Sequence, residues 1–258
     1  MTILEKIVAS KRKEIEERKK RRPLSDFKRE TEKPITTRDF KGSLRGTGIQ
    51  LIGEIKKISP VHGVLRQAFD PVTLALAFQK GGAASLSVLT DGPFFGGHLS
   101  YLQEIKTSVA LPILRKDFIL DEYQLYESAE ASADAILLIS SLLTEKELSS
   151  FIQCAGGLGM SCLAEVHSEE DLKKTLTAGA EVIGINNRNL QTFEVDLSTS
   201  ERLVRRIPKG KIIVSESGIH SHEEVSHLET LGFHAVLIGQ AFMEHSDLEK
   251  AVRQVMGW

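Results

Sequence analysis

The 258-residue chain has no apolar run approaching the roughly 20 residues that a membrane-spanning helix needs, so no membrane association is expected. Its N-terminus, TILEKIVASKRK, lacks the uninterrupted apolar core of a secretory signal, and a cytoplasmic location is the expectation. Cysteine is scarce. Cys154 and Cys162 stand without CxxC spacing or neighbouring histidines, which fits reduced thiols in a helix and a strand rather than a disulfide or a zinc site. His220 and His222, two apart with no third ligand in sight, read as a surface loop, and no metal site is expected. An excess of charge of one sign is also lacking: 33 basic against 35 acidic residues give a net charge of -2, so no basic field invites nucleic acid. The cationic run over residues 18–22 reads as a solvated helix face.

With 41% apolar and 26% charged residues, the chain can bury a large core, as one barrel-sized domain or two small ones. A repeat favours the first. GGAASLSVLT begins at residue 81, ASADAILLIS at 131, AGAEVIGINN at 178 and LGFHAVLIGQ at 231, at spacings of 50, 47 and 53. Each joins a small residue, suited to a left-handed helix cap, to a short apolar run of the kind buried on both faces of a parallel sheet. Between them lie LIGEIK, PILRKDF, CLAEVH and IIVSESG, which makes eight strands. Amphipathic segments fill the gaps, several opening with Asp-Pro or Ser-Glu-Glu helix starts. Eight strands alternating with eight helices predict an α/β fold, a (β/α)8 TIM barrel; a doubly wound open sheet is the alternative and lacks so even a period. Ile3, Leu4, Ile7, Val8 and Ile15 recur at helical spacing, so residues 1–48 are expected to add a leading helix packed on the barrel, followed by a loop over residues 23–48.

Barrels of this kind carry their active sites at the C-terminal ends of the strands. Those ends are polar here: Glu54 and Lys56, Thr90 and Asp91, Lys116 and Asp117, Ser140 and Ser141, Glu165 and His167, Asn186 and Arg188, Ser215 to Ser217, and Gly239 with Gln240. All are expected to converge on one mouth, a mixture suited to acid–base chemistry on an anion. Ordinary ion pairs at a barrel rim are the competing reading for any single one of them. Gly218 and Gly239, after the last two strands, would let backbone N–H groups approach a phosphate.

The chain resembles the indole-3-glycerol phosphate synthase family over nearly its whole length. The resemblance rests on GEIKKISP, GGAASLSVLTD followed by FFGG, LPILRKDFI, ADAILLI, AEVHSEEDL, IGINNRNLQTFEVDL, VSESGI and LIGQAFM, in that order. It implies a carboxy-lyase of tryptophan biosynthesis that closes the pyrrole ring of 1-(2-carboxyphenylamino)-1-deoxyribulose 5-phosphate without redox cofactor or metal. It implies Lys116 as general acid and Glu165 as general base, with Glu54, Lys56, Asn186 and Glu216 completing the catalytic set. Ser59 and Arg188 would hold the substrate carboxylate, Asn186 and Glu216 the sugar hydroxyls, and Ser217, Gly218, Gly239 and Gln240 the phosphate. Phe95, Phe118, Leu137 and Leu190 would form the apolar pocket for the benzene ring, where plain core packing competes with a binding role, and Leu237 would be a further substrate-binding position. Ile58, Val61 and Gln240 depart from the family's pattern at the loop after strand one and at the phosphate site. That loop, SPVHGVLRQAFD, is long enough for a mobile cover. Another phosphosugar barrel such as the isomerase of the same pathway, and a noncatalytic binding or scaffold protein, are the rival readings. A small phosphorylated substrate is the expected partner, a monomer the expected state, and no fused second enzyme is expected.

Overall fold

The computed structural model describes residues 2–30, 36–190 and 192–258. Eight parallel strands close into a barrel: β1 (Gln50–Ile55), β2 (Ser85–Leu89), β3 (Ile113–Lys116), β4 (Ala135–Ile139), β5 (Ser161–Val166), β6 (Val182–Asn186), β7 (Ile212–Glu216) and β8 (Ala235–Ile238). Each pairs with its chain neighbour, and β1 closes on β8 with Gln50 opposite Ala235. The fold is the (β/α)8 barrel.

The helices are α1 (Ile3–Arg21), α2 (Leu24–Glu30), α3 (Phe40–Ser43), α4 (Pro71–Gly81), α5 (Gly92–Phe95), α6 (Ser100–Lys106), α7 (Glu122–Glu130), α8 (Glu145–Gly157), α9 (Glu169–Thr177), α10 (Ser198–Val204), α11 (His222–Thr230), α12 (Gln240–Met243) and α13 (Leu248–Met256). Their starts follow from the sequence. Asp70 caps α4 with Pro71 in its first turn, Ser168 accepts from Asp171 N at α9, and Thr144 and Ser221 form capping boxes with Glu147 and Glu224. The small residue of the fourfold repeat has one physical meaning. Gly82, Ser132, Gly179 and Gly232 all take left-handed backbone, with φ between 65 and 97°, and turn each helix back into a strand.

Side chains alternate across each strand, which separates two cores. Leu51, Leu86, Val88, Ile136, Leu138, Ala164, Ile183, Ile185 and Val236 face the helices. Ile52, Leu114, Leu137, Leu163, Val214 and Leu237 fill the barrel interior. Phe40 and Leu44, from α3 and just beyond it, join that inner cluster with Ala135, Val182, Ile212 and Ala235 from the strand starts, plugging the N-terminal end.

The loop expected over residues 23–48 is corrected: α2 and α3 fall within it, because Asp39 caps α3 and Phe27 packs edge-on against Tyr123 of α7. Residues 31–35 of that stretch lie outside the described residues. On α1, Ile7 joins the inner cluster beside Phe94, Phe95 and Phe118, whereas Ile15 packs with Phe27, Leu120 and Tyr123.

Candidate active site

One layer above the apolar interior, the alternation brings the next inward residue of each strand to the mouth. Two residues beyond Ile52, Leu114, Leu163 and Val214 stand Glu54, Lys116, Glu165 and Glu216. Lys116 Nζ donates to Glu216 Oε2 at 2.7 Å and to Glu165 Oε2 at 3.0 Å, and Lys56 Nζ donates to Glu54 Oε2 at 2.6 Å. A carboxylate and an ammonium two residues apart at the end of β1 are therefore an ion pair at the mouth, and each offsets part of the other's desolvation. Two glycines leave room for this layer. A Cβ on Gly184 would overlap Glu216 Oε1, and one on Gly239 would come within 2.8 Å of Glu54 Cβ.

Burial penalises every charge in the cluster, so the partners decide the protonation. Burial works against the Lys116 ammonium, but Glu165, Glu216 and Glu54 outweigh it and raise its pKa. Glu165 is held below the usual carboxylate range against its own desolvation, by Lys116 and by the His167 ring, whose Nε2 lies 3.3 Å from Oε1. Glu216 goes the other way. Its burial, with the charge on Glu165 beside it, overcomes Lys116 and pushes it up to about 7. One ammonium shared by two carboxylates leaves one of them ionised and the other ready to hold a proton near neutrality. Glu54 is lowered despite burial, by Lys56 and then Lys116.

Around this centre lies a cleft open to solvent. Every residue singled out from the sequence as catalytic or substrate-binding borders it: Glu54, Lys56, Ser59, Phe95, Lys116, Phe118, Leu137, Glu165, Asn186, Arg188, Leu190, Glu216, Ser217, Gly218, Leu237, Gly239 and Gln240. Phe95, on the single turn of α5, faces Phe118 with ring centroids 6.0 Å apart, and both join Leu137, Leu190 and Leu237 in the inner cluster. Asn186 Oδ1 accepts from Arg188 N at 2.9 Å, and the Arg188 guanidinium donates to Phe193 O at 3.1 Å. After β7, Ser217 and Gly218 are both left-handed, with φ of 70 and 78°, a turn conformation that gathers successive N–H groups.

Over one side stands the segment after β1. It is a short hairpin in which Ile58–Ser59 pairs with Gly63–Val64, and Ser59 Oγ accepts from Val61 N at 3.3 Å. Its far end is tied down by Arg66, which donates to His245 O at 2.7 Å and more weakly to Met243 O and Ser246 O. Of the three departures, Ile58 packs beside Gly96, Val61 is 48% exposed near the hairpin tip, and Gln240 donates to Glu244.

Not every polar strand end faces the mouth, and that expectation is corrected. Asp117 borders the cleft, but its carboxylate turns away: it pairs with Lys11 and Arg115 and accepts from Thr90 Oγ1 at 2.6 Å. Asp91 pairs with Lys11 at 3.0 Å and caps α5 through Phe94 N. Ser140 bonds Thr175, Ser141 is exposed, Ser215 bonds Asn187 and Ser200, and His167 stands behind Glu165, outside the cleft lining. For Thr90, Asp117, Ser140 and Ser215 the reason is parity: adjacent residues along a strand point to opposite faces, so Lys116 and Asp117 cannot both look inward. Asp91, Ser141 and His167 have the inward parity but lie beyond the last residue of their strands, where the alternation no longer holds. Leu89 and Ile139, also at the cleft, are what the same alternation would have found; Phe193, in an irregular loop, carried no such signal.

Fold and site together define a (β/α)8-barrel enzyme with a buried acid–base cluster beneath an open cleft. A family model for indole-3-glycerol phosphate synthase matches residues 4–255. The chain belongs to that family, the carboxy-lyases of class EC 4.1.1.48. It is similar to the indole-3-glycerol phosphate synthase of Caldanaerobacter subterraneus, 44% identical over 99% of both chains, and to that of Endomicrobium trichonymphae, 46% identical over 98% of this chain and 99% of the relative. Among solved structures, a 3-hexulose-6-phosphate synthase superposes with a TM-score of 0.65 at 12% identity, covering 81% of this chain and 99% of that one. A structure of KGPDC from Streptococcus mutans gives 0.62 at 12% identity, covering 82% and 97%. Both show the shared barrel. Among the described residues, no helix is long and apolar enough to cross a membrane.

Proposed function

We propose that the cleft closes the indole ring of 1-(2-carboxyphenylamino)-1-deoxyribulose 5-phosphate, releasing carbon dioxide and water and leaving indole-3-glycerol phosphate. The observation that carries this reading is Lys116, an ammonium held between Glu165 and Glu216 at the floor of a cleft with an apolar wall on one side and the Ser217–Gly218 turn on another.

The ring carbon that bears the carboxylate attacks the ribulose C2 carbonyl. A carbon–carbon bond forms, and the carbonyl oxygen takes a proton from Lys116. The raised pKa keeps this proton in place until substrate arrives, while an alkoxide forming beside Lys116 is a far stronger base than the carboxylates that hold it. The carboxyl group then leaves as carbon dioxide, and its bonding pair restores the aromatic ring. In the last step Glu165 removes a proton from carbon and the new hydroxyl departs as water with a proton from the lysine–carboxylate cluster. The cluster regains one from solvent, in place of the charge lost with the carboxylate. Glu54 and Lys56 belong to the same proton-transfer cluster.

Phe95, Phe118, Leu137, Leu190 and Leu237 supply the surface for the benzene ring, Arg188 and Ser59 hold its carboxylate, and Asn186 and Glu216 meet the sugar hydroxyls. Ser217, Gly218, Gly239 and Gln240 receive the phosphate. The test is indole fluorescence after mixing the protein with this substrate, beside Lys116→Ala shown folded by circular dichroism. The expected result is a rise that the variant loses. Ligand binding without any rise in the unaltered protein would overturn the reading, and turnover of phosphoribosylanthranilate would replace it with the isomerase.

A further inference from the structure

We infer that Asn187, which does not line the cleft, is a positioning residue that holds the Ser217–Gly218 turn in its anion-binding shape. The inference rests on the reading above that this turn receives the substrate phosphate.

Asn187 follows the last residue of β6 and is 2% exposed. Its amide Nδ2 faces three acceptors on the exit of β7, each at 3.1 Å: Ser215 Oγ, Glu216 O and Ser217 O. Its Oδ1 accepts from Ser200 N at 3.1 Å, its backbone N–H donates to Glu216 O at 2.9 Å, and its carbonyl accepts from Asp196 N at 2.9 Å. One side chain thus fastens three consecutive residues of β7 and its exit to α10.

The segment it fastens needs a restraint. Glycine takes left-handed backbone freely, but Ser217 has a Cβ and pays conformational energy to sit at φ 70°. Such a residue persists where its surroundings over-determine it. The Ser217 carbonyl has that restraint in Asn187, and the next residue is hemmed in as well, since a Cβ on Gly218 would overlap Val195 of the loop after β6. Without the amide, Ser217 can relax towards ordinary backbone, and the N–H groups of the turn diverge. The Glu216 carboxylate is fixed separately. Its backbone pairs with Asn186 and Leu237 in the barrel ladder, and its Oε2 accepts from Lys116. Anion affinity should therefore fall further than the rate of chemistry.

The experiment measures inorganic phosphate binding by calorimetry, with KM and kcat for the carboxyphenylamino-deoxyribulose phosphate, on the full chain and on Asn187→Ala and Asn187→Ser. The expected result for Asn187→Ala is about tenfold weaker phosphate binding and a KM raised to match, the loss of a well-placed set of hydrogen bonds, with kcat changed by less than about threefold. Asn187→Ser keeps one donor and should recover part of the affinity; it carries the same test if the alanine variant does not fold. A folded variant that binds phosphate as the unaltered protein does, or one that loses kcat at unchanged KM, overturns the inference. Failure of the unaltered protein to bind phosphate would instead remove the anion site, and the inference with it.

Discussion

Gly184→Ala is the most direct test of how the barrel interior is fitted around its carboxylates. Gly184 faces the interior of β6, with Glu165 and Val214 opposite it on the neighbouring strands. A Cβ there would overlap Glu216 Oε1 and stand 3.2 Å from both its carboxylate carbon and Leu163 Cδ1. Glu216 is 1% exposed and pinned by Lys116 at 2.7 Å, so a retreat strains that ion pair. Restoring an ordinary contact needs a retreat on the order of 1 Å, and a misplacement of that size costs on the order of a hundredfold in rate. Overpacking by one methyl costs about 1–3 kcal/mol, which lowers Tm by roughly 2–12 °C for a chain of this size. The assay pairs initial rates of indole-3-glycerol phosphate formation with thermal unfolding. Gly156→Ala is the control, because a Cβ on that residue of α8 meets nothing within 4 Å and should leave kcat alone while adding up to about 1 kcal/mol of stability. A Gly184→Ala protein with unchanged kcat would refute the reasoning, since Glu216 would then not need its observed position.

Two further outcomes follow from the ion pairs outside the cleft. Lys11 is 2% exposed between Asp91 and Asp117, so Lys11→Met should cost about 3 kcal/mol in urea unfolding at neutral pH; a loss below about 1 kcal/mol would show that Arg115 alone suffices for Asp117. Asp117 is held below the ordinary aspartate pKa of about 3.9, against its burial, by Arg115 and Lys11. A lowered carboxylate contributes its stability in full above that value and loses it as pH falls through the native pKa. The gap in stability between the unaltered protein and Asp117→Asn should therefore be constant near neutrality and narrow below about pH 4; a gap that persists there would refute the assignment. Arg66→Ala frees the far end of the hairpin segment while costing about 1 kcal/mol or less, and should speed amide exchange over residues 58–68. Unchanged exchange would mean that the segment is held elsewhere and does not act as a mobile cover.

The sequence by itself determined the barrel. The fourfold recurrence of small residue and apolar run is local, and a left-handed turn at Gly82, Ser132, Gly179 and Gly232 is a property of a few neighbouring residues, so it can be read without knowing what they touch. Period-two alternation is equally local, and it explains why Glu54, Lys116, Glu165 and Glu216 could be named from strand ends alone. Only the tertiary structure decided which polar strand ends look inward, because parity tells that Lys116 and Asp117 diverge but not which of them faces the cleft. The pairing of Lys11 with Asp117 joins residues from the first helix and the third strand, and nothing near either announces the other. The same holds for Asn187, whose role exists only once β7 lies alongside β6. Chain-local geometry survives in a sequence; contacts made by closing a barrel depend on elements distant along the chain meeting in space, and they are written only in the fold.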